Sequence, residues 1–152
     1  LPTAPQMVPA LSYTINTPEG WTSEPSESAS GRLLRLSGGA GTGLCVELGR
    51  VPMGALTQEQ LGQMAVALSV GNPLLATLIA ESELRVHEGI GRAIAYSGRS
   101  GDTPHRALMH LIARAGDLYI VVGFAPDTVA DADWQEVVDS VRSFAPAQVV
   151  GN

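Results

Sequence analysis

Two apolar runs, over residues 105–113 and 118–124, constrain the fold of this chain more than any other feature. A short polar stretch that contains Gly116 and Asp117 separates them, which is the pattern of a β-hairpin. Both arms are too apolar to have one face in water along their whole length, so the hairpin belongs in the middle of a sheet. We therefore expect a central hairpin over residues 105–124, with the other elements packed in layers against it.

Further strands are predicted where apolar and polar residues alternate. They cover residues 11–17, 32–36 and 44–51, then the region of Leu84 and Val86, and residues 93–96. Residues 22–31, rich in Ser and Glu, and residues 97–104, with two glycines, are predicted to be loops. The glycine-rich residues 37–43 lack the Lys of a phosphate-binding loop and precede a strand instead of a helix, so we interpret them as a hairpin loop.

Two helices are predicted from capping residues and helical spacing. The first begins at Thr57, because Gln60 lies three residues later and completes a capping box. Its buried face consists of Leu61, Met64, Ala65 and Leu68. The last helix is predicted to be capped by Asp131 or Asp133, whose charges also suit the helix dipole. Its buried face consists of Trp134, Val137, Val138, Val141 and Phe144.

The order of these elements predicts an α+β fold with a mainly antiparallel sheet that is covered by the two amphipathic helices. A chain of 152 residues fits one domain, which we expect to span residues 11–146. Residues 1–10 contain Pro2, Pro5 and Pro9 and are predicted to form an extended arm. Residues 147–152 are predicted to be a frayed tail.

Two motifs in this order resemble one family. They are the turn Pro18-Glu19-Gly20-Trp21 after the first strand, and the pattern Trp-x-x-Val-Val-x-Ser-Val-x-Ser-Phe that ends at Phe144. Over residues 11–144 the chain resembles the PsbP-like group, which includes the photosystem II extrinsic P subunit, the Ran-binding Mog proteins and bacterial envelope proteins or lipoproteins. The resemblance implies an α/β/α sandwich and a non-catalytic role as an adaptor, chaperone or assembly factor, and it assigns no functional residue.

Charge and composition limit the partners and the cellular location that we expect for the protein. The net charge is −6 and the nine basic residues, all Arg, are scattered, so nucleic acid is not an expected partner. No apolar run approaches the length of a membrane span. The chain opens with a Pro- and Ala-rich stretch, typical of the spacer that follows a secretory or lipoprotein signal. We expect export to the periplasm or cell envelope, with a lipid anchor upstream of residue 1 left open and the cytoplasm as the alternative.

Metal and thiol chemistry have weak support in the sequence. His105 and His110 are five residues apart on one strand, so they project to opposite faces and cannot share an ion. His87 could join one of them only if their strands are neighbours. Cys45 lies between Leu44 and Val46 and is interpreted as an inert core residue. We predict no metal site and no cofactor.

A catalytic triad and a calcium loop are equally poorly supported. Ser100, Asp102 and His105 could form a trio on paper, but no nucleophile elbow accompanies them. The acidic residues Asp127, Asp131 and Asp133 lack the glycine and the terminal Glu of a calcium loop. We therefore predict that the protein is not an enzyme and has no catalytic residues.

The candidate binding residues are four apolar side chains in the segment 71–80. Gly71-Asn72-Pro73 ends the first helix, and the segment then forms either a second short helical turn begun by Pro73 or an apolar flap. It is more apolar than a connector needs, which indicates either simple packing in the core or binding of a protein partner there, with one face of the sheet as the other place for a partner. The alternative function is a carrier of a small apolar ligand or lipid, with its pocket under the segment. The protein itself is expected to be a monomer or weak dimer; the four residues are Leu74, Leu75, Leu78 and Ile79.

Overall fold

The computed structural model describes residues 13–26 and 31–146, which have the predicted α+β fold. The arm predicted for residues 1–10 and the tail predicted for residues 147–152 lie outside the described residues. The helices are α1 (Gln58–Ser69) and α2 (Asp131–Ser143), and a 3-10 turn covers Pro73–Leu75. The strands are β1 (Tyr13–Thr14), β2 (Thr22–Pro25), β3 (Arg32–Ser37), β4 (Cys45–Pro52), β5 (Thr77–Val86), β6 (Gly89–Ser100), β7 (Thr103–Arg114), β8 (Asp117–Pro126) and β9 (Ala145–Pro146).

Seven of the strands form one antiparallel sheet in the order β2-β3-β4-β8-β7-β6-β5. The hairpin of β7 and β8 lies inside this sheet, between β4 and β6, which confirms the predicted central hairpin. Its turn is formed by Ala115 and Gly116, which both have positive φ angles of 53° and 84°. Two such residues in succession match the right-handed twist of the flanking strands.

The two helices cover opposite faces of the sheet, so the strands form the middle layer of an α/β/α sandwich. On one face, α1 packs on β6 and β7, and the core there includes Leu61 of α1 with Ile94, Met109 and Leu118. On the other face, α2 packs on β4, β7 and β8, and the core there includes Val137 and Val141 of α2. Alternate residues of β7 and β8 point to the two faces, as a fully covered strand requires. We call the sheet face covered by α1 the α1 face and the one covered by α2 the α2 face.

The N-termini of the two helices differ from each other. Thr57 and Gln60 form the predicted capping box at α1, with hydrogen bonds of 3.1 Å and 2.8 Å. The predicted cap of α2 is wrong: Ala130 occupies the N-cap position and no side chain bonds there. Asp131 and Asp133 lie one and three positions further on, in the first turn, where their charges still favour the helix dipole.

The two serines of the C-terminal motif hold the beginning of the described chain. The buried Ser140 hydroxyl donates to the carbonyl oxygen of Asn16 at 2.8 Å. The Ser143 hydroxyl accepts from the backbone N–H of the same residue, also at 2.8 Å. Phe144 ends the motif and packs on Tyr13 and Tyr119, with ring centres 6.0 Å and 5.3 Å away. The motif therefore binds the first strand to the last helix, next to the paired strands β1 and β9.

Two predicted loops are strands in the structure. Within residues 22–31, Thr22–Pro25 forms β2, whose polar sequence reflects an edge strand exposed on both faces. The predicted strand over residues 11–17 is only Tyr13–Thr14 within the described part of the chain.

Residues 97–104 form the end of β6, a tight turn at Gly101 and Asp102, and the start of β7. Gly98 lies inside β6. A glycine is needed at this position because a Cβ there would meet the carbonyl oxygens of Pro73 and Leu74. That glycine allows close approach of the 3-10 turn instead of marking a loop.

The segment 71–80 combines two kinds of structure: the predicted short helical turn begun by Pro73 is confirmed, but it does not extend to Leu78 and Ile79, and there is no flap. Pro73 begins the 3-10 turn, and the Asn72 side chain accepts a hydrogen bond of 3.1 Å from the N–H of Leu74. The turn ends at Leu75, and β5 begins at Thr77. Leu78 and Ile79 therefore belong to a strand at the edge of the sheet.

Candidate functional site

The outer side of β5 is an open sheet edge. This strand pairs with β6 on its inner side and has no strand on its outer side within the described part of the chain. It is ten residues long, whereas β2, at the opposite edge, has four residues and ends in Pro25. A long edge strand presents a row of unpaired backbone N–H and C=O groups that another strand can join. A bulge between Leu78 and Ala80 interrupts its pairing with β6.

Exposed aliphatic side chains border this edge on the α1 face. We call the group of Val66, Val70, Leu78 and Ile79 the edge patch; their exposed fractions are 65%, 76%, 56% and 62%. Val66 is on α1 and Val70 is the C-cap residue of that helix, four positions later, while Val66 and Leu78 line the same shallow recess. Single exposed aliphatic residues are ordinary on a protein surface, but a contiguous group beside a sheet edge is typical of an interaction site.

The structure divides the four predicted binding residues. Leu78 and Ile79 are exposed in the edge patch, whereas Leu75 is buried in the core and Leu74 is half-buried against it. Val66 and Val70 were not among the predicted residues. The sequence does contain a signal for them, because two β-branched apolar residues lie off the apolar face of α1, where polar residues are expected.

A polar network holds the edge patch in place from below. Arg92 of β6 forms an ion pair with Glu81 of β5 and donates a hydrogen bond of 3.1 Å to the side chain of Gln58 on α1. Gln58 in turn donates to the carbonyl oxygen of Gly91 at 3.1 Å. The network connects the edge strand, its neighbour and the helix, so the elements that carry the patch are fixed relative to one another.

A second concave surface lies on the α2 face, where α2 does not reach the strands β5 and β6. This groove has a volume of about 430 Å³. Its floor is open because the cross-strand pairs consist of small residues: Ala80 is opposite Ala95, and Ser82 is opposite Ala93. The larger residues that line it are Leu84, Val86, Leu108, His110, Ile112, Arg142 and Phe144.

His110 faces this groove from β7. Its side chain is 6% exposed and makes no hydrogen bond with any residue that the structure describes. Burial, with the nearby Arg142 charge as a second cause, lowers the pKa of His110 to about 4. The imidazole is therefore neutral near pH 7, with one nitrogen as a donor and one as an acceptor.

The other residues considered for chemistry lie apart. His105 is on the α1 face, beside Phe124, and its Nδ1 lies 3.0 Å from the carbonyl oxygen of Thr103, while His87 is exposed in a turn. Burial raises the pKa of the Cys45 thiol to about 11, so this thiol is not a nucleophile at neutral pH. In residues 13–26 and 31–146, no three His, Cys, Asp or Glu side chains come together as metal ligands do. No helix in these residues is both long enough and apolar enough to cross a membrane.

Comparison with known proteins gives similarity of structure but not of sequence. No protein-family model matches the chain, and no curated protein is similar to it. The solution structure of cyanobacterial PsbP (CyanoP) from Synechocystis sp. PCC 6803 matches with a TM-score of 0.69 and 14% identity, over 90% of this chain and 88% of that protein. LpqN, involved in cell envelope biogenesis of Mycobacterium tuberculosis, matches with a TM-score of 0.62 and 9% identity, over 90% and 83%. A Bacteroides thetaiotaomicron protein matches with a TM-score of 0.57 and 8% identity, over 92% of this chain but 47% of that protein.

Proposed function

Because this chain has the PsbP-like fold, we propose that it is a non-catalytic, exported domain that binds a protein partner through β5 and the edge patch. The observation that carries the proposal is the edge patch itself, which combines four exposed aliphatic side chains with an open strand edge. Export is supported by the fold that the chain shares with an envelope protein, LpqN.

The partner contributes an extended apolar segment that adds to the sheet beside β5. Main-chain hydrogen bonds to the outer edge of β5 supply affinity, and alternate side chains of the segment contact the edge patch. The strand β2 is unsuited to this role, because it is short and Pro25 has no N–H to donate. The domain itself is a monomer or weak dimer that presents this edge to its partner.

The carrier function has less support near residues 71–80. The recess between α1 and β5 has a volume of about 170 Å³, with Leu75, Leu78, Ile94 and Tyr96 among its lining residues. Sites for small molecules usually have volumes of roughly 300–1,000 Å³, so the recess is too small for a lipid. Its size favours contact with side chains of a partner over enclosure of a ligand.

The test is a quantitative pull-down from envelope extract with the wild-type domain and two double variants. We expect saturable recovery of one partner at fixed stoichiometry, and its loss in Leu78→Asp/Ile79→Asp, because two carboxylates on the edge patch cannot be desolvated against an apolar segment. The matched control, Thr22→Asp/Ser23→Asp, makes the same change on the exposed strand β2 and should bind normally.

Two results would contradict the proposal. One is the absence of any saturable partner for the wild-type domain, and the other is equal binding by both double variants. Sedimentation of the purified domain accompanies the pull-down, because pairing of two β5 edges would give a dimer without any partner. Strong self-association that Leu78→Asp/Ile79→Asp removes would replace the proposed partner by a second copy of this chain.

A further inference from the structure

The groove on the α2 face is a separate surface from the edge patch, and its floor is built to stay open. Opposite residues of β5, β6 and β7 share a face, so Ser82, Ala93 and His110 form one row across the three strands. Ala80, Ala95 and Leu108 form the next row. Each row begins with small side chains at the sheet edge and ends with a larger one near α2. The result is an apolar trough with a wall at one end.

The polar groups of the groove are concentrated at that wall. Arg142, in the last turn of α2, lines the groove and forms no ion pair with any residue that the structure describes. His110 lies below it, more than nine-tenths buried as a residue, but its ring nitrogens are not among the buried polar atoms that lack a partner in the described part of the chain. An imidazole that lines an open groove can donate to, or accept from, an external group that binds there.

The charges around the groove select the sign of its ligand. Arg142 is the charged side chain directed into the groove, because Glu81 and Arg85 are opposite Ile94 and Ile90 and alternate to the α1 face, where Glu81 pairs with Arg92. The wall of the groove is thus locally cationic on a protein whose net charge is −6. One unpaired guanidinium beside one neutral imidazole suits a group with a single negative charge and two acceptor atoms, which is a carboxylate.

We propose that this groove binds a small carboxylic acid with an apolar body. The carboxylate pairs with Arg142 and accepts a hydrogen bond from His110, and the apolar body lies along Ala93, Ala95 and Leu108. The volume of about 430 Å³ is within the usual range for small-molecule sites. The site is independent of the proposed function, because the groove and the edge patch are on opposite faces of the sheet.

The experiment is a titration of the labelled protein with octanoate, followed by backbone amide NMR, with octanol and octylammonium as probes of equal chain length. We expect octanoate to bind saturably and to shift the amide signals of Ala93, Ala95 and Leu108. Octanol should bind about threefold to tenfold more weakly, because it lacks the charge that pairs with Arg142, and octylammonium should not bind.

Three variants locate the site. Arg142→Gln should weaken octanoate binding by about threefold to tenfold, whereas the matched change Arg99→Gln, on an exposed arginine outside the groove, should have no effect. Ala95→Leu should abolish binding by filling the trough, and its thermal melt establishes that it is folded. The proposal is overturned if octanoate gives no saturable shifts, if octanol binds equally well, if Arg142→Gln and Arg99→Gln behave alike, or if the shifts occur at the edge patch.

Discussion

The two faces of the sheet are each covered by one helix, and each helix leaves part of its face open. On the α1 face the open part lies over β4 and β8, where Glu47 is within 3.9 Å of Arg32 and 3.5 Å of Arg35. Half-exposed ion pairs of this kind keep a surface solvated and contribute little binding energy. On the α2 face the open part has a floor of small apolar residues and a buried histidine without a partner.

The difference between these open areas is therefore one of chemistry and not of coverage. An uncovered sheet face is a surface like any other where its side chains pair with each other and with water. It becomes a candidate site where the side chains are too small to fill the space and a polar group is left to be satisfied from outside. The edge patch differs again, because there the apolar groups project outward instead of receding.

Two leucines of the α1 face give the strongest test of the contrast between covered and exposed parts. Leu61 is fully buried, so Leu61→Ala should lower the free energy of unfolding by about 2–5 kcal/mol through lost burial and the cavity that remains. Leu78→Ala makes the same chemical change in the edge patch and should alter stability by less than about 0.5 kcal/mol. Urea denaturation measures both, and equal losses would mean that β5 and the edge patch are packed against something in the folded domain.

His110 makes the α2 face sensitive to acid. Between pH 6.5 and about 4, the unfolded chain binds a proton at this imidazole and the folded chain does not, so lowering the pH favours unfolding. The loss of stability should reach about 2 kcal/mol by pH 5 and about 3 kcal/mol across the whole window. The charged side chain that faces it in the groove is Arg142 of α2, since Glu81 and Arg85 of β5 alternate to the α1 face.

The control for this prediction is a comparison of the wild-type protein with His110→Gln. This variant should flatten the dependence of unfolding free energy on pH between neutrality and pH 5. Chemical denaturation at several pH values gives both slopes. A wild-type slope that survives in His110→Gln would assign the acid sensitivity to carboxylates instead.

Two glycines compare the closeness of the helices to the sheet. A Cβ at Gly123 of β8 would lie 2.5 Å from Val137 and 2.7 Å from Val141, so Gly123→Ala should destabilise the fold by about 1–3 kcal/mol. Gly62 of α1 has only ordinary contact distance to Arg92, and Gly62→Ala should stabilise by about 0.5–1 kcal/mol through helix propensity. Thermal and urea unfolding give the two signs, and destabilisation by Gly62→Ala would mean that α1 packs as closely as α2.

Those parts of the fold that depend on bulky apolar residues were predictable. The runs around Met109 and Val121 identified the central hairpin, and the capping box at Thr57 identified the start of α1. The prediction of strands and loops failed where the residue type at a position is set by contacts with distant parts of the chain. Gly98 suggested a loop, but it lies in a strand. The residue is a glycine because the 3-10 turn, distant in sequence, passes too close for a side chain. The polar strand β2 has no alternation to detect, because it is exposed on both faces.

Of the two candidate surfaces, the edge patch was predicted in part and the groove was not. Leu78 and Ile79 of the edge patch were predicted because excess apolar side chains are visible in a sequence. The groove was not predicted, because its signal is the smallness of Ala80, Ala93 and Ala95, and small residues acquire meaning only when strand register brings them together. The proximity of His110 and Arg142 was not predicted either, because they belong to β7 and α2 and only the fold brings them together.

The pairing of β1 with β9, together with the bonds from Ser140 and Ser143 to Asn16, has a consequence for how the domain can be attached to other structures. The first and last described strands are therefore neighbours, and the two ends of the folded domain lie close together. The domain could be inserted into a loop of another protein, or cut open at an exposed turn and rejoined at its ends, without moving any strand of the sheet.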